Sequence, residues 1–269
     1  MATVDTLYRY PVKSMQGESV ESLEFVSGPA EGDRRWAIAE KSTGVFLSAK
    51  RHGQLLEARA RFGPAGSVII ALPRRVAADA DADAGDAGLE VEAGDPAADE
   101  ALSAWLGREV ELCKPGGDRT PSYEGLADPL DESSETQSFA GPVNHFADFA
   151  ECHLLTNASL RTARGLRPEG DWDARRFRPT ALLEAGDEEG YVEDGWVGAM
   201  VTLGESASFV VFMQTIRCNL PTRAQPGLGR DTSVARLLRD HHDFCLGVYG
   251  AFRSPGRVCL GDQVTIARL

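Results

Sequence analysis

The sequence predicts a mainly β protein with short helices, of the α+β class. Short apolar segments that alternate with polar residues recur along most of the 269-residue chain. Turn-forming pairs such as Gly28-Pro29 and Gly32-Asp33 separate them. Only three stretches read as helix. A hydrophobic content of 42% is enough to bury a sizeable core.

Residues 3–12 alternate loosely and read as a strand, broken at Pro11 and by the turn through Gly17. Residues 20–26 read as a second strand, 35–40 as a third and 44–48 as a fourth. Strands at 67–72 and 88–92 bracket an acidic run over 77–88, which has no apolar side chain larger than Ala. Such a run cannot offset its ordering entropy and reads as a solvated loop. Residues 97–106 read as a short helix with Leu102, Trp105 and Leu106 on one face, and 109–114 as a returning strand. Residues 115–142 are rich in Gly, Pro, Ser and acids and read as a long connection.

Beyond it, 153–156 reads as a strand feeding a short helix at 159–164, and 179–184, 207–213 and 257–267 as strands. The clearest helix is 233–242, capped at Thr232 or Ser233. Val234, Leu237, Leu238 and His241 recur there at helical spacing. Asp231 could cap this helix or donate a proton; the cap is the simpler role. His241 and His242 titrate near neutrality, but their register assigns them to core or surface. Many short strands at this spacing suggest a barrel or a sandwich. The organisation that follows is a module over 1–115, an acidic Gly/Pro/Ser-rich connection over 116–142 and a second module over 143–269.

The chain holds 28 Lys and Arg against 41 Asp and Glu, a net charge of −13. Sixteen of the acids lie in 76–107 and 120–160, which contain no Lys or Arg; the remainder is slightly basic. This balance argues against nucleic acid as a partner, because coating a polyanion needs cationic surface. No apolar run is long enough to cross a membrane. The N-terminus does not read as a signal peptide, so the expected location is cytoplasmic.

The five cysteines are odd in number and none pair as C-x-x-C, which fits neither a disulfide framework nor a zinc site. Cys113 and Cys259 alternate with polar residues like strand positions facing a core. Cys218 differs. It follows the apolar run 209–213 and precedes Pro221, at a strand end where functional side chains are common. Its thiolate could serve as a soft metal ligand or as a nucleophile. Basic and hydroxyl side chains recur at similar strand ends and turns: Lys13 and Ser14, Arg34, Thr156 and Ser159, Arg176, Arg178 and Thr180, and Arg217. Such a group suits a small ligand with a phosphate and several polar ring atoms.

Tyr10-Pro-Val-Lys-Ser14, Gly32-Asp-Arg-Arg-Trp36 and Phe46-Leu-Ser-Ala-Lys50 fall in order in the first half. Leu154-Leu-Thr-Asn-Ala-Ser-Leu160, Arg176-Phe-Arg-Pro179, Glu193-Asp-Gly-Trp196, Arg217-Cys218 and Gly247-Val-Tyr-Gly250 follow in the second. In this ordered set the chain resembles the MOSC proteins, named for the C-terminal domain of molybdenum cofactor sulfurase. It is most similar to the two-part kind that includes the mitochondrial amidoxime-reducing component. The resemblance implies a MOSC-type β-barrel with a smaller N-terminal β-barrel-like module. It implies a molybdenum cofactor, a molybdenum-pterin dithiolene, with Cys218 as metal ligand and catalytic residue. It carries Lys13, Ser14, Arg34, Ser159 and Arg178 onto positions that hold the pterin or its phosphate. Thr156, Arg176, Thr180 and Arg217 adjoin them; Thr180 stands where the reducing enzymes often carry Asn.

The implied activity is reduction of N–O bonds in N-hydroxylated or N-oxide small molecules. No ferredoxin-like extension or PLP-binding domain is present, so the resemblance implies no PLP and no iron–sulfur cluster in this chain. An external flavin or iron–sulfur protein would then supply electrons. Two other readings share the same cysteine: a persulfide carrier of sulfur, and a non-catalytic cofactor-binding module.

Overall fold

A computed structural model describes residues 2–73, 88–116 and 120–269; the acidic run over 77–87, read above as a loop, lies outside the described residues. The first half supplies β1 (Ala2–Arg9), β2 (Glu18–Val20), β3 (Ser22–Phe25), β4 (Ala37–Glu40), β5 (Arg59–Phe62), β6 (Val68–Ala71), β7 (Glu90–Glu92), helix α1 (Pro96–Leu106) and β8 (Val110–Cys113). A hairpin follows, β9 (Ser122–Leu126) and β10 (Thr136–Ala140). The second half supplies β11 (Cys152–Thr156), α2 (Asn157–Leu166), β12 (Ala181–Glu184), β13 (Ala199–Leu203), β14 (Ala207–Ile216), α3 (Ser233–His241), β15 (Cys245–Ser254), β16 (Gly256–Cys259) and β17 (Gln263–Arg268).

Seven strands close into a β-barrel in the order β1-β12-β11-β15-β14-β13-β17, with β17 returning to β1. Every pair is antiparallel except β11–β12. Closure leaves no barrel edge unpaired. Leu7, Leu154, Leu183, Val201, Phe209, Val211 and Val248 fill the interior and are fully buried. The first strand of the chain thus completes a barrel built mostly from its second half. The sheet β5-β6-β7, the pair β4–β8 and α1 form a smaller β module around Val12, Met15, Ile38, Leu55 and Leu102. Helices α2 and α3 pack outside the barrel through Leu160, Leu237 and Leu238, with Trp172 and Phe177 between them.

Local chemistry explains the helices. Asp95 accepts from Ala97 N–H at 2.9 Å, Pro96 starts α1, and Gly107, left-handed at φ 68°, ends it. The Thr156 hydroxyl accepts from Ser159 N–H at 3.1 Å and starts α2. On α3 the expected Thr232 or Ser233 cap is replaced by Asp231, which accepts from Ser233 N–H at 2.8 Å, while Thr232 makes no side-chain cap bond. His241 ends the helix exposed rather than on its apolar face.

Other differences have identifiable causes. Residues 44–48 make one bridge, Phe46 to Ala39, because Gly44 turns the chain at φ 71°. The run 257–267 is two strands, split by a turn in which Gly261 takes φ 82°. The connection holds the β9–β10 hairpin. β5, β13 and β15 are strands that the sequence reading does not include; in β15 the glycines at 247 and 250 mask the alternation. Gly247 is required by close approach, since a Cβ there would stand 2.5 Å from His153 Nε2 and 2.7 Å from the Leu154 carbonyl oxygen.

Candidate functional site

A cavity of about 310 Å³ lies where the smaller module meets the barrel. The module lends it Lys13, Ser14, Arg34 and Lys50; the barrel and its loops lend His153, Arg178, Thr180, Arg217, Cys218 and Tyr249. Three of these residues have left-handed backbones without being glycine: Ser14 at φ 67°, Arg34 at φ 47° and Arg178 at φ 53°. Each such residue costs roughly 1–2 kcal/mol. Strain of this kind persists where surrounding structure over-determines it, often at functional sites. Here the constraints are backbone bonds from Lys13 N–H to Trp36, Arg34 N–H to Tyr10 and Arg178 N–H to Arg175. The Ser14 hydroxyl accepts from Ala49 N–H at 2.9 Å.

The cavity floor is cationic. Asp148 lies between two lysines, paired with Lys13 and, at 2.8 Å, with Lys50. Burial favours its neutral form, but the two ammonium groups outweigh that and hold its carboxyl far below the usual range. Burial pushes Lys13 down to about 8, against the pull of Asp148. On Lys50 the same carboxylate overcomes burial and raises the pKa. Arg34 pairs with the buried Asp33. Arg178 and Arg217 have no carboxylate within salt-bridge distance among the described residues. Arg178 donates to the Met15 carbonyl at 2.6 Å, and Arg217 to the Phe177 carbonyl at 2.8 Å. Arg178 Nη2 and Arg217 Nε are buried without a hydrogen-bond partner. An unmade bond at such a group costs about 1–3 kcal/mol. A bound anion with several acceptors relieves that cost, and the residues present fit one.

His153 bridges the two arginines. Burial first, and Arg217 second, push its pKa down to about 3, so the ring is neutral. Its Nε2 lies 3.5 Å from Arg217 Nη1 and its Nδ1 3.4 Å from the Arg178 carbonyl oxygen. That pattern assigns the proton to Nδ1. Cys218 follows Arg217 beyond the end of β14 and is half-buried. Its loop is tied to the other module: Asn219 Nδ2 and Arg223 Nη2 both donate to the Lys50 carbonyl at 2.9 Å. Phe149, Met213, Ile216 and Tyr249 add an apolar wall to the lining.

Of the residues singled out from sequence, Lys13, Ser14, Arg34, Arg178, Thr180, Arg217 and Cys218 line this cavity. Three are placed elsewhere. Thr156 and Ser159 donate their hydroxyls to Glu193 Oε2, each at 2.6 Å, behind the barrel wall. Arg176 is fully buried and donates to the carbonyls of Pro221, Arg223 and Gly229 and to Asp171. Thr180 accepts from His153 N–H at 3.1 Å. His242 is away from the cavity, paired with Asp194 at 2.7 Å and stacked on Tyr191 at 3.6 Å. Sequence reasoning did not single out Asp148, His153 or Tyr249. Asp148 was one acid among many in its segment; only the two lysines facing it reveal its role. Among the described residues no group of three or more His, Cys, Asp or Glu side chains could hold a metal ion, and no helix is long and apolar enough to cross a membrane.

Comparison with known proteins agrees with this two-part architecture. The profile of the MOSC N-terminal beta barrel domain matches residues 1–110, and that of the MOSC domain matches residues 141–265. The chain is 26% identical over 204 residues to a molybdenum cofactor sulfurase of Oryza sativa subsp. japonica, an alignment covering 70% of this chain and 24% of that protein. The match thus spans about a quarter of the relative's length. A crystal structure of the YUAD protein from Bacillus subtilis superposes with a TM-score of 0.49 at 10% identity, covering 100% of this chain and 96% of that one.

Proposed function

The chain belongs to the MOSC-domain proteins, and from that premise we propose that its cationic cavity binds a molybdenum-pterin dithiolene cofactor for the reduction of N–O bonds. The carrying observation is the pair of buried arginines, Arg178 and Arg217, each with an N–H left without a partner beside Cys218. The bound group would supply two-electron oxygen-atom transfer, chemistry that no side chain here provides.

The chain's own residues bind and orient. Arg178, Arg217, Lys13 and Lys50 neutralise the phosphate and offer donors to its oxygens. Arg34 and Ser14 shape the neighbouring wall from backbones already fixed in the left-handed region. Cys218 is the soft ligand for the metal. One thiolate does not hold a metal alone, so Cys218 would act on a metal already carried by the bound cofactor. His153, neutral at physiological pH, orients Arg217 and is not a proton donor. Reducing an N–O bond of an N-hydroxylated substrate consumes two electrons and two protons and releases water. An external redox protein would supply the electrons, while Lys13 and Lys50, held by Asp148, serve the anion.

Molybdenum and pterin assays on protein from a cofactor-competent host test the reading. Wild type carries both, and Cys218→Ala loses the metal. Metal-free, pterin-free wild type that Cys218→Ala does not change would sink it. The relative's printed name favours one second reading, sulfur transfer through a persulfide on Cys218. A mass increase of one sulfur at Cys218 with no molybdenum bound would select it.

A further inference from the structure

The apolar wall of the cavity exposes large side chains at its mouth. Phe149 is 61% exposed, Ile216 62% and Phe212 40%. Phe149, Ile216 and Tyr249 line the cavity, and Phe212 stands against Phe149 and Tyr249. Ring centroids are 6.0 Å apart for Phe149 and Phe212, 5.9 Å for Phe149 and Tyr249 and 6.4 Å for Phe212 and Tyr249. The three ring planes lie within 35° of one another. Tyr249 meets His153 edge-on at 5.7 Å, so rings run inward from the surface towards Arg217. A β-bulge creates the outermost position. Val211 pairs with Gly250 and Met213 with Tyr249, which leaves Phe212 as the extra residue. Bulges re-aim side chains beside active sites.

We infer that Phe149, Phe212 and Tyr249 form a seat for the flat apolar body of the substrate, selecting aromatic compounds over small aliphatic ones. The inference rests on the cofactor reading above, in which the cationic floor is taken and the ring wall is left to the substrate. Similarly oriented rings accept a further flat ring by offset stacking. A protein partner is the poorer fit. Three partly exposed rings offer on the order of 300 Å², whereas a stable protein interface buries about 800 Å² on each side.

The test compares quinoline N-oxide with trimethylamine N-oxide, which carry the same polar head on a flat ring and on methyl groups. Affinities are measured by titration calorimetry on protein from a cofactor-competent host, with molybdenum determined on the same samples. Wild type is expected to bind quinoline N-oxide about tenfold more tightly. The double variant Phe149→Ala, Phe212→Ala loses that preference at unchanged molybdenum content. Both side chains are exposed, so alanine leaves the core intact. Phe149→Leu, which keeps bulk without a flat face, recovers part of what Phe149→Ala loses. Equal affinities in wild type, or a preference that survives the double substitution, would overturn the inference and leave the patch to a protein partner. Absence of molybdenum from wild type overturns the cofactor reading instead, and the ring preference is still scored on that sample.

Discussion

Arg176 and Arg178 are two residues apart, both buried, and chemically opposite. Arg176 gives both terminal nitrogens to three backbone carbonyls and Asp171, with only its Nε left without a partner, knotting the 174–176 turn to the loop after Cys218. Arg178 has one protein acceptor, the Met15 carbonyl, an N–H without a partner and a left-handed backbone. The first is a charge the fold engages through both terminal nitrogens and a carboxylate. The second is a charge the fold leaves available, at a cost, on a cavity floor that also holds Arg217, Lys13 and Lys50. Burial alone therefore does not separate a structural arginine from a ligand-binding one; the count of satisfied donors does.

The largest expected effect belongs to the knot. Arg176→Met strands several buried acceptors, and a loss of about 3–5 kcal/mol of stability is expected in urea unfolding. Protein that remains folded at low temperature should still bind inorganic phosphate as wild type does. Next comes Arg178→Met. Its stability should stay within about 1 kcal/mol of wild type, because few native bonds are lost. Its affinity for inorganic phosphate at low salt should fall about tenfold by calorimetry. Equal destabilisation by the two substitutions would break the comparison.

A smaller effect follows from Lys13, whose ammonium burial pushes down to about 8 from its ordinary value of 10.5. Between those values the unfolded chain keeps a proton that the folded one has released. Stability therefore rises with pH across that window. Phosphate affinity moves the other way and falls as pH rises through about 8, since a neutral amine no longer attracts the anion. Lys13→Met should flatten both slopes, measured by urea unfolding and phosphate titration. The smallest effect is at His242. Burial opposes its charge, but the Asp194 carboxylate prevails and raises its pKa above 6.5. Its contribution is complete below pH 6.5 and is lost as pH rises through the folded value. His242→Gln should remove that slope from thermal melts while leaving phosphate binding unchanged.

The β class, three helices and most of the cationic floor were legible in the sequence, because alternation and residue type are local signals. Pairing is not. Lys13, Arg34, Arg178 and Cys218 come from four separate segments, and only the fold brings them to one cavity. The ordered motifs supplied that expectation through resemblance; spacing did not. Nothing in the run Arg175-Arg-Phe-Arg178 states which guanidinium is satisfied, since that depends on carbonyls some fifty residues away. Thr156 and Ser159 read as ligand contacts because hydroxyls at a strand-to-helix turn serve either purpose. The buried Glu193 claims both. Its own motif, Glu193-Asp-Gly-Trp196, was visible, but not the hydroxyls it would meet.

The first strand of the chain has a consequence for how the molecule is made. β1 emerges from the ribosome before every other barrel strand, yet its partners β12 and β17 are synthesised last among its contacts. Until residue 264 is available, β1 has no β17 partner. The barrel is thus closed by contacts of very long sequence separation, which slow folding. Meanwhile the nascent β1 presents an unpaired edge, a hazard for association with other chains. Cutting the chain at the acidic connection would not free two independent halves; it would leave the barrel one strand short.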